Sequence, residues 1–398
     1  MGTLERRETL TRAFLVAQRP ILCYETDGPQ PADHAMCTKE EMTEYFKTMA
    51  LTRRMEIVND DLYKQQKIRG FCHLYDGQEG IGVGMEAAIT KQDAVTTSYR
   101  CHAWQVIRSG NKGVGSVEAV FAELMGKYTG CSKGKGGSMH MYDPNNGFFG
   151  GNGIVGAQCS TATGNAFTFK YNGEPGSYNV SFGLCGDGAA NQGQVYESMN
   201  MAALWGLPMV YVVENNKFGM GTSTKRSSAL DEYYKRGHYM PGLKVDGMDV
   251  LCVKACTEFA AQHCRDGKGP FVLEMDTYRY HGHSMSDPGT TYRTRDDIKA
   301  VRSTRDPIEM CKQRMIEAGW YDAKEIKAMD KEIRAEVDVA LNAALAASPP
   351  PVSELMDNIF IEDANHRAVE LCESRVVGVS SGPDAPYTQY LGPIKGSV

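Results

Sequence analysis

Two short patches carry residues able to hold a divalent cation against a phosphate. Gly186-Asp187-Gly188 follows an apolar stretch, and Asn215-Asn216 follows the next one, with Asp187 and Asn216 29 positions apart. That separation accommodates one helix and one strand. In a parallel sheet it sets both residues at the carboxyl edge of neighbouring strands, where α/β proteins bind ligands. The glycines let backbone approach a phosphate at a helix N-terminus, whose free N–H groups and dipole favour anions. One carboxylate and one amide oxygen suit magnesium, which takes few protein ligands and completes its shell with phosphate and water. The same residues also fit a plain Gly-Asp-Gly turn and a chance pair of asparagines. Spacing alone leaves both readings open.

The elements that would position these residues are legible from periodicity. Ala94–Thr97, Asn179–Cys185, Met209–Val213 and Phe271–Met275 read as buried strands, short and rich in apolar or β-branched residues. Helical stretches are expected at 116–125, 157–169, 192–205 and 249–264. Alternation of this kind predicts an α/β fold, a parallel sheet covered by helices on both faces. Upstream, Thr38 and Glu41 form a capping box, and apolar residues from Met42 to Leu62 recur at helical spacing until Gly70. Gly82-Val83-Gly84-Met85-Glu86-Ala87 matches a dinucleotide fingerprint, yet no acid follows about 20 residues on and no clear strand precedes it. Small residues on a close-packed helix are the better reading. Between Gly126 and Gly156 runs a long aperiodic loop, a length that in a compact domain signals function. Two charged helices are expected after Pro307. Residues 1–37 read as an N-terminal extension, 38–375 as the catalytic domain and 376–398 as a loosely attached tail.

Composition narrows the classes. The chain has 398 residues, 42% hydrophobic and 23% charged, with a net charge of −6. A net negative charge argues against nucleic-acid binding driven by phosphate neutralisation, and no apolar run reaches the ~18 residues of a membrane span. Twelve cysteines are scattered without a CxxC pair, the pattern of free, mostly buried thiols in a reducing compartment. Met1-Gly2 begins a myristoylation pattern that Arg6 spoils. Arg6, Arg7, Arg12 and Arg19 suggest a mitochondrial presequence remnant, against which Glu5 and Glu8 weigh.

The text from Gly186 to Ser223, GDGAANQGQVYESMNMAALWGLPMVYVVENNKFGMGTS, resembles the alpha subunits of the heterotetrameric pyruvate dehydrogenase first component. The likeness extends through FCHLYDGQEG, SYRCHAW, KGKGGSMHMY, GGNGIVGAQ and YRYHGHSMSDPGTTYRTR, over about residues 40–375. It implies a thiamine-diphosphate-binding fold and a chain that decarboxylates pyruvate oxidatively and acetylates lipoyl groups. By this resemblance Asp187, Asn216 and the carbonyl of Phe218 hold Mg2+, and Tyr99 and Arg100 hold the diphosphate. Gly153, Val155, Gly188 and Ala189 supply cofactor-contacting backbone, and Met220 props the bent cofactor. His73 and His283 fall beside the reacting carbon, where a group titrating near pH 7 can hold or move a proton. Ser284, Ser223 and Thr291 match phosphorylation positions. Implied partners are a beta subunit in an α2β2 assembly, the lipoyl domain of the acetyltransferase, and a regulatory kinase and phosphatase. The implied location is the mitochondrial matrix, or the cytoplasm in a bacterium. The alternative within the same chemistry is a branched-chain 2-oxo acid or acetoin dehydrogenase alpha subunit; HGHSMSDPG and KGKGGSMHMY favour pyruvate. A regulatory protein binding a nucleotide through GDG alone would be expected to show a Walker-type loop, which is missing from the sequence. Three departures stand out. They are the polar run Cys159–Asn165, the glycine-rich connection Ser109–Gly115, and Thr291 in place of a serine.

Overall fold

A computed structural model describes residues 11–15, 20–26, 30–32 and 34–357. The chain divides into two compact units, Met1–Pro349 and Pro350–Val398. In the second, Val352–Met356 is a short 3-10 turn. The expected boundary at 375 and the tail beyond it lie outside the described residues.

The strands in chain order are β1 Thr11–Leu15, β2 Leu22–Tyr24, β3 His34–Thr38, β4 Ala94–Ser98, β5 Phe148–Asn152, β6 Ser181–Gly186, β7 Met209–Asn215, β8 Phe218–Gly219, β9 Thr222–Ser223, β10 Gly242–Asp246 and β11 Phe271–Asp276. The main sheet has the order β2-β10-β11-β7-β6-β4-β5. From β10 to β5 every pairing is parallel, and β2 closes one edge antiparallel, Cys23 opposite Leu243. The fold is therefore the expected α/β one. Alternation along β7 shows how both faces are covered. Val210 and Val212 enter one core with Phe46, Trp104 and Leu251, whereas Met209, Tyr211 and Val213 enter a second with Val195 and Met199. Fully buried strands of this kind need helices on both sides.

Local chemistry sets the helix starts. Thr38 Oγ1 accepts from Glu41 N at 3.1 Å while Glu41 Oε2 accepts from Thr38 N at 2.8 Å, opening the helix Lys39–Lys64. It ends six residues before Gly70, the stop the periodicity suggested. Within the helix Glu79–Glu86, a Cβ on Gly84 would sit 2.7 Å from Val250 O and 2.7 Å from Val253 Cβ. Each glycine of the repeat is thus a close-packing point: Gly84 against the helix Val250–Arg265, Gly80 against Gly247 and Pro307, and Gly82 against Ile107 and Tyr75. Gly84→Ala is expected to cost about 1–3 kcal/mol through overpacking, outweighing alanine's better helix propensity. A urea titration showing an unchanged midpoint would refute that close approach.

The polar run 159–165 is accommodated without a break in the helix Ala157–Asn172. Thr163 Oγ1 pairs with Tyr211 Oη at 2.8 Å and Ser160 Oγ with Ser198 Oγ at 2.8 Å. Hydroxyl pairs here replace apolar contact between the helix, the sheet and the neighbouring helix Gly193–Leu204. In the connection 109–115, Asn111 takes a left-handed φ of 57° and its Oδ1 accepts from Val117 N at 2.9 Å.

Three strands of the main sheet escape a period-based reading. β5 lies inside the long loop 126–156 and carries two glycines, and β10 is interrupted by Lys244. β2 belongs to the stretch read as an extension, and three residues are too few for periodicity. The loop between Gly126 and β5 is organised by one buried carboxylate. Glu123 accepts from the amides of Ser132, Gly134, Gly136 and Gly137 at 2.7–3.1 Å. Eleven cysteines are described, all free, nine of them buried; Cys372 lies outside the described residues.

Candidate active site

The carboxyl ends of β4, β6 and β7 frame a cleft of about 250 Å³. The chain runs from β4 outward to β5, then returns to place β6 on the other side of β4, which makes the β4–β6 gap a topological switch point. Ser98, Tyr99, Arg100, Val155, Gly186, Asp187, Gly188, Ala189, Asn216, Phe218, Met220, Arg279 and His283 are among the lining residues. Nine of the ten cofactor and metal residues expected from sequence therefore share one wall. Gly153 is the one absent from the lining; an added Cβ there would come 3.4 Å from Met139 Sδ. His73 stands behind, its ring 4.3 Å from Tyr99 and 5.3 Å from His283, nearly perpendicular to the latter.

Charged groups in this cleft are only partly paired. Asp187 is buried, and its Oδ2 has no hydrogen-bond partner. Burial pushes its pKa up to about 6, against smaller opposing effects from backbone N–H groups, Arg279 and Lys217. Arg100 is buried too, and its guanidinium is committed to the carbonyls of Leu74 and His283 rather than to a carboxylate. Arg279 donates from Nη1 to Asn216 Oδ1 at 3.3 Å and to Phe218 O at 3.2 Å. A cationic group thus already rests on two of the three oxygens expected to hold a metal. Burial, with Arg100 beside it, lowers the Arg279 pKa to about 10. Together an orphaned carboxylate, two acceptor oxygens bridged by a cation and a pair of buried guanidiniums fit a magnesium ion and the phosphates it accompanies.

The two histidines are held neutral. Burial, then Arg100 and His283, take His73 down to about 2. Burial with Arg100 and Arg279 takes His283 down to about 3, Asp287 opposing. Each Nδ1 is buried without a partner. Two neutral imidazoles with open nitrogens, His283 lining the cleft and His73 packed against it, can accept or relay a proton. Backbone strain concentrates nearby, with Lys217 at φ 75° and Met220 at φ 57°. Met220 is 58% exposed, an apolar side chain left on the rim.

A profile of the dehydrogenase E1 component family matches residues 47–353. The chain belongs to the dehydrogenase E1 component family. The relatives of this E1 chain include a mitochondrial pyruvate dehydrogenase E1 component subunit alpha-1 of Arabidopsis thaliana, 54% identical over 332 residues, 83% of each chain. The Dictyostelium discoideum subunit alpha is 50% identical over 351 residues, covering 88% of this chain and 90% of its own. The somatic form from Rattus norvegicus is 51% identical over 333 residues, 84% of this chain and 83% of its own.

Sequence reasoning passed over Gln78, Glu214 and Arg279, which also line the cleft of this E1 chain. Glu214 had a signal: it is a carboxylate ending an otherwise apolar strand, buried, its pKa raised to about 7 by desolvation. Arg279 follows the last parallel strand closely, in the segment that also carries His283. Of the candidate phosphorylation positions, Ser284 is buried with Oγ 2.8 Å from Ser286 Oγ, Ser223 is half-buried and Thr291 is exposed. No helix among the described residues is long and apolar enough to cross a membrane.

Proposed function

We propose that this chain is the alpha subunit of a pyruvate dehydrogenase (acetyl-transferring), working with a beta subunit and thiamine diphosphate. The supporting observation is the convergence of Tyr99, Arg100, Asp187, Asn216 and Phe218 on one switch-point cleft in which Asp187 Oδ2 has no hydrogen-bond partner. Bound there, thiamine diphosphate supplies the electron sink for loss of CO2 from a 2-oxo acid. Asp187, Asn216 and the Phe218 carbonyl would hold Mg2+, with the diphosphate against Tyr99 and Arg100. Gly188 keeps the floor low, since an added Cβ would come 3.3 Å from Gly219 Cα. Gly153, Val155 and Ala189 would supply backbone contacts, and Met220 an apolar support. An anion beside Arg100 offsets the charge that depresses His73 and His283, which brings both imidazoles closer to a proton-sharing range.

The cleft is small for a whole cofactor, which suits a chain that holds the diphosphate end while the beta subunit covers the rest. The acetyl group passes to a lipoyl domain in this reading, and a kinase and phosphatase act on Ser284, Ser223 or Thr291. The relatives' names place the protein in the mitochondrion. Turnover of pyruvate and of 2-oxoisovalerate by the chain reconstituted with its beta subunit tests the substrate. A preference of at least tenfold in kcat/KM for pyruvate is expected, on the scale that a few methylenes command. Equal or better turnover of the branched substrate would move the chain to the branched-chain class.

A further inference from the structure

An asparagine amide offers either an oxygen or N–H donors to whatever faces it. Asn216 can serve a cation only when its oxygen is turned toward the cleft. A buried line of side chains fixes that choice. Trp104 Nε1, which can only donate, gives its proton to Tyr75 Oη at 3.2 Å. The hydroxyl proton of Tyr75 then goes to Glu214 Oε1 at 2.8 Å. Gln78 Nε2 donates to the same oxygen at 3.4 Å, so Gln78 turns its Oε1 the other way. That Oε1 accepts from Asn216 Nδ2 at 3.0 Å. Asn216 Oδ1 is left facing the side occupied by Arg279 and the Phe218 carbonyl. Every member of the line is at least nine-tenths buried. Because Glu214 Oε1 accepts both bonds, the direction of the line holds whether or not Oε2 carries a proton.

We propose that Gln78, backed by Glu214, Tyr75 and Trp104, is a positioning residue that orients the Asn216 amide and thereby sets the affinity of the site for Mg2+. This rests on Asn216 being a metal ligand. Partners that orient metal ligands are commonly worth tenfold to a hundredfold in affinity.

The test is a calorimetric titration of Mg2+ into the α2β2 enzyme at fixed thiamine diphosphate. Gln78→Met keeps length and burial but loses both amide bonds. It is expected to raise the half-saturating Mg2+ concentration about tenfold to a hundredfold, with kcat at saturating Mg2+ changed far less. In an Asn216→Asp background either rotamer presents an oxygen, so Gln78→Met is expected to add under threefold (~0.6 kcal/mol). Wild-type affinity in Gln78→Met, or the same fold loss in both backgrounds, overturns the proposal. Should Gln78→Met fail to assemble, Glu214→Met carries the test. It removes the oxygen that dictates Gln78's orientation, and a wild-type Mg2+ titration there overturns the proposal equally. Asp187→Ala run alongside separates the two levels. If it binds Mg2+ normally the ligand assignment fails and the proposal falls with it. If it does not, a normal Gln78→Met result counts against the relay alone.

Discussion

Asp187→Ala is expected to abolish Mg2+-dependent binding of thiamine diphosphate, at least a hundredfold by calorimetry, while leaving the fold intact. The first half follows from losing the anionic ligand of a hard cation. The second follows from the partner that Asp187 Oδ2 lacks. Its Oδ2 bonds to nothing, and burial has pushed its carboxyl up to about 6. A carboxyl whose folded pKa lies above its unfolded one costs stability when ionised. That cost is absent below the ordinary carboxylate range, grows as pH rises through it, and is complete above about pH 6. At neutral pH the alanine variant without cofactor is therefore expected to melt no lower than wild type. Such a cost, carried for function, is common at active sites. A variant that melts well below wild type, or binds cofactor as wild type does, contradicts the assignment.

The second large effect concerns the segment 280–293. Its backbone is tied inward at several points. Tyr280 N donates to Asp76 O at 3.2 Å and Met285 N to Cys72 O at 2.9 Å, while within the segment Arg293 Nη2 donates to His281 O at 2.7 Å. Ser284 sits under this segment, only 6% exposed, one residue from His283. A phosphate there brings about −1.5 to −2 charges, and a buried charge without a partner costs several kcal/mol. The segment must then lift, taking His283 and the Arg279–Tyr292–Asp287 hydrogen bonds with it. Ser284→Glu in the reconstituted enzyme is expected to lose at least a hundredfold in pyruvate turnover, whereas Ser284→Ala stays within a fewfold of wild type. Retention of wild-type turnover by the Glu variant would show that the buried position tolerates charge, and the switch reading would be wrong.

What could be read in advance follows from how local each signal is. β4, β6, β7 and β11 were legible because buried parallel strands leave short apolar runs bounded by turns. β5 was not, because Gly150 and Gly151 erase the pattern and its order comes from pairing with β4. The GDG and NN patches were legible because each is a single strand end. The meeting of His73, Tyr99 and His283 draws on three segments far apart in sequence, so spacing says nothing of it and only the family resemblance pointed there. Arg279 and Gln78 were missed for a related reason. Neither residue type is unusual where it stands, and their importance comes from a partner across the sheet, Asn216, that no periodicity reveals.

The most direct measurement is pyruvate decarboxylation by this chain co-expressed with a beta subunit, with and without thiamine diphosphate and Mg2+, beside the chain purified alone. The account predicts turnover only when both subunits, the cofactor and the metal are present, and none from the isolated chain. Full turnover by the chain alone, or turnover indifferent to thiamine diphosphate, would contradict it.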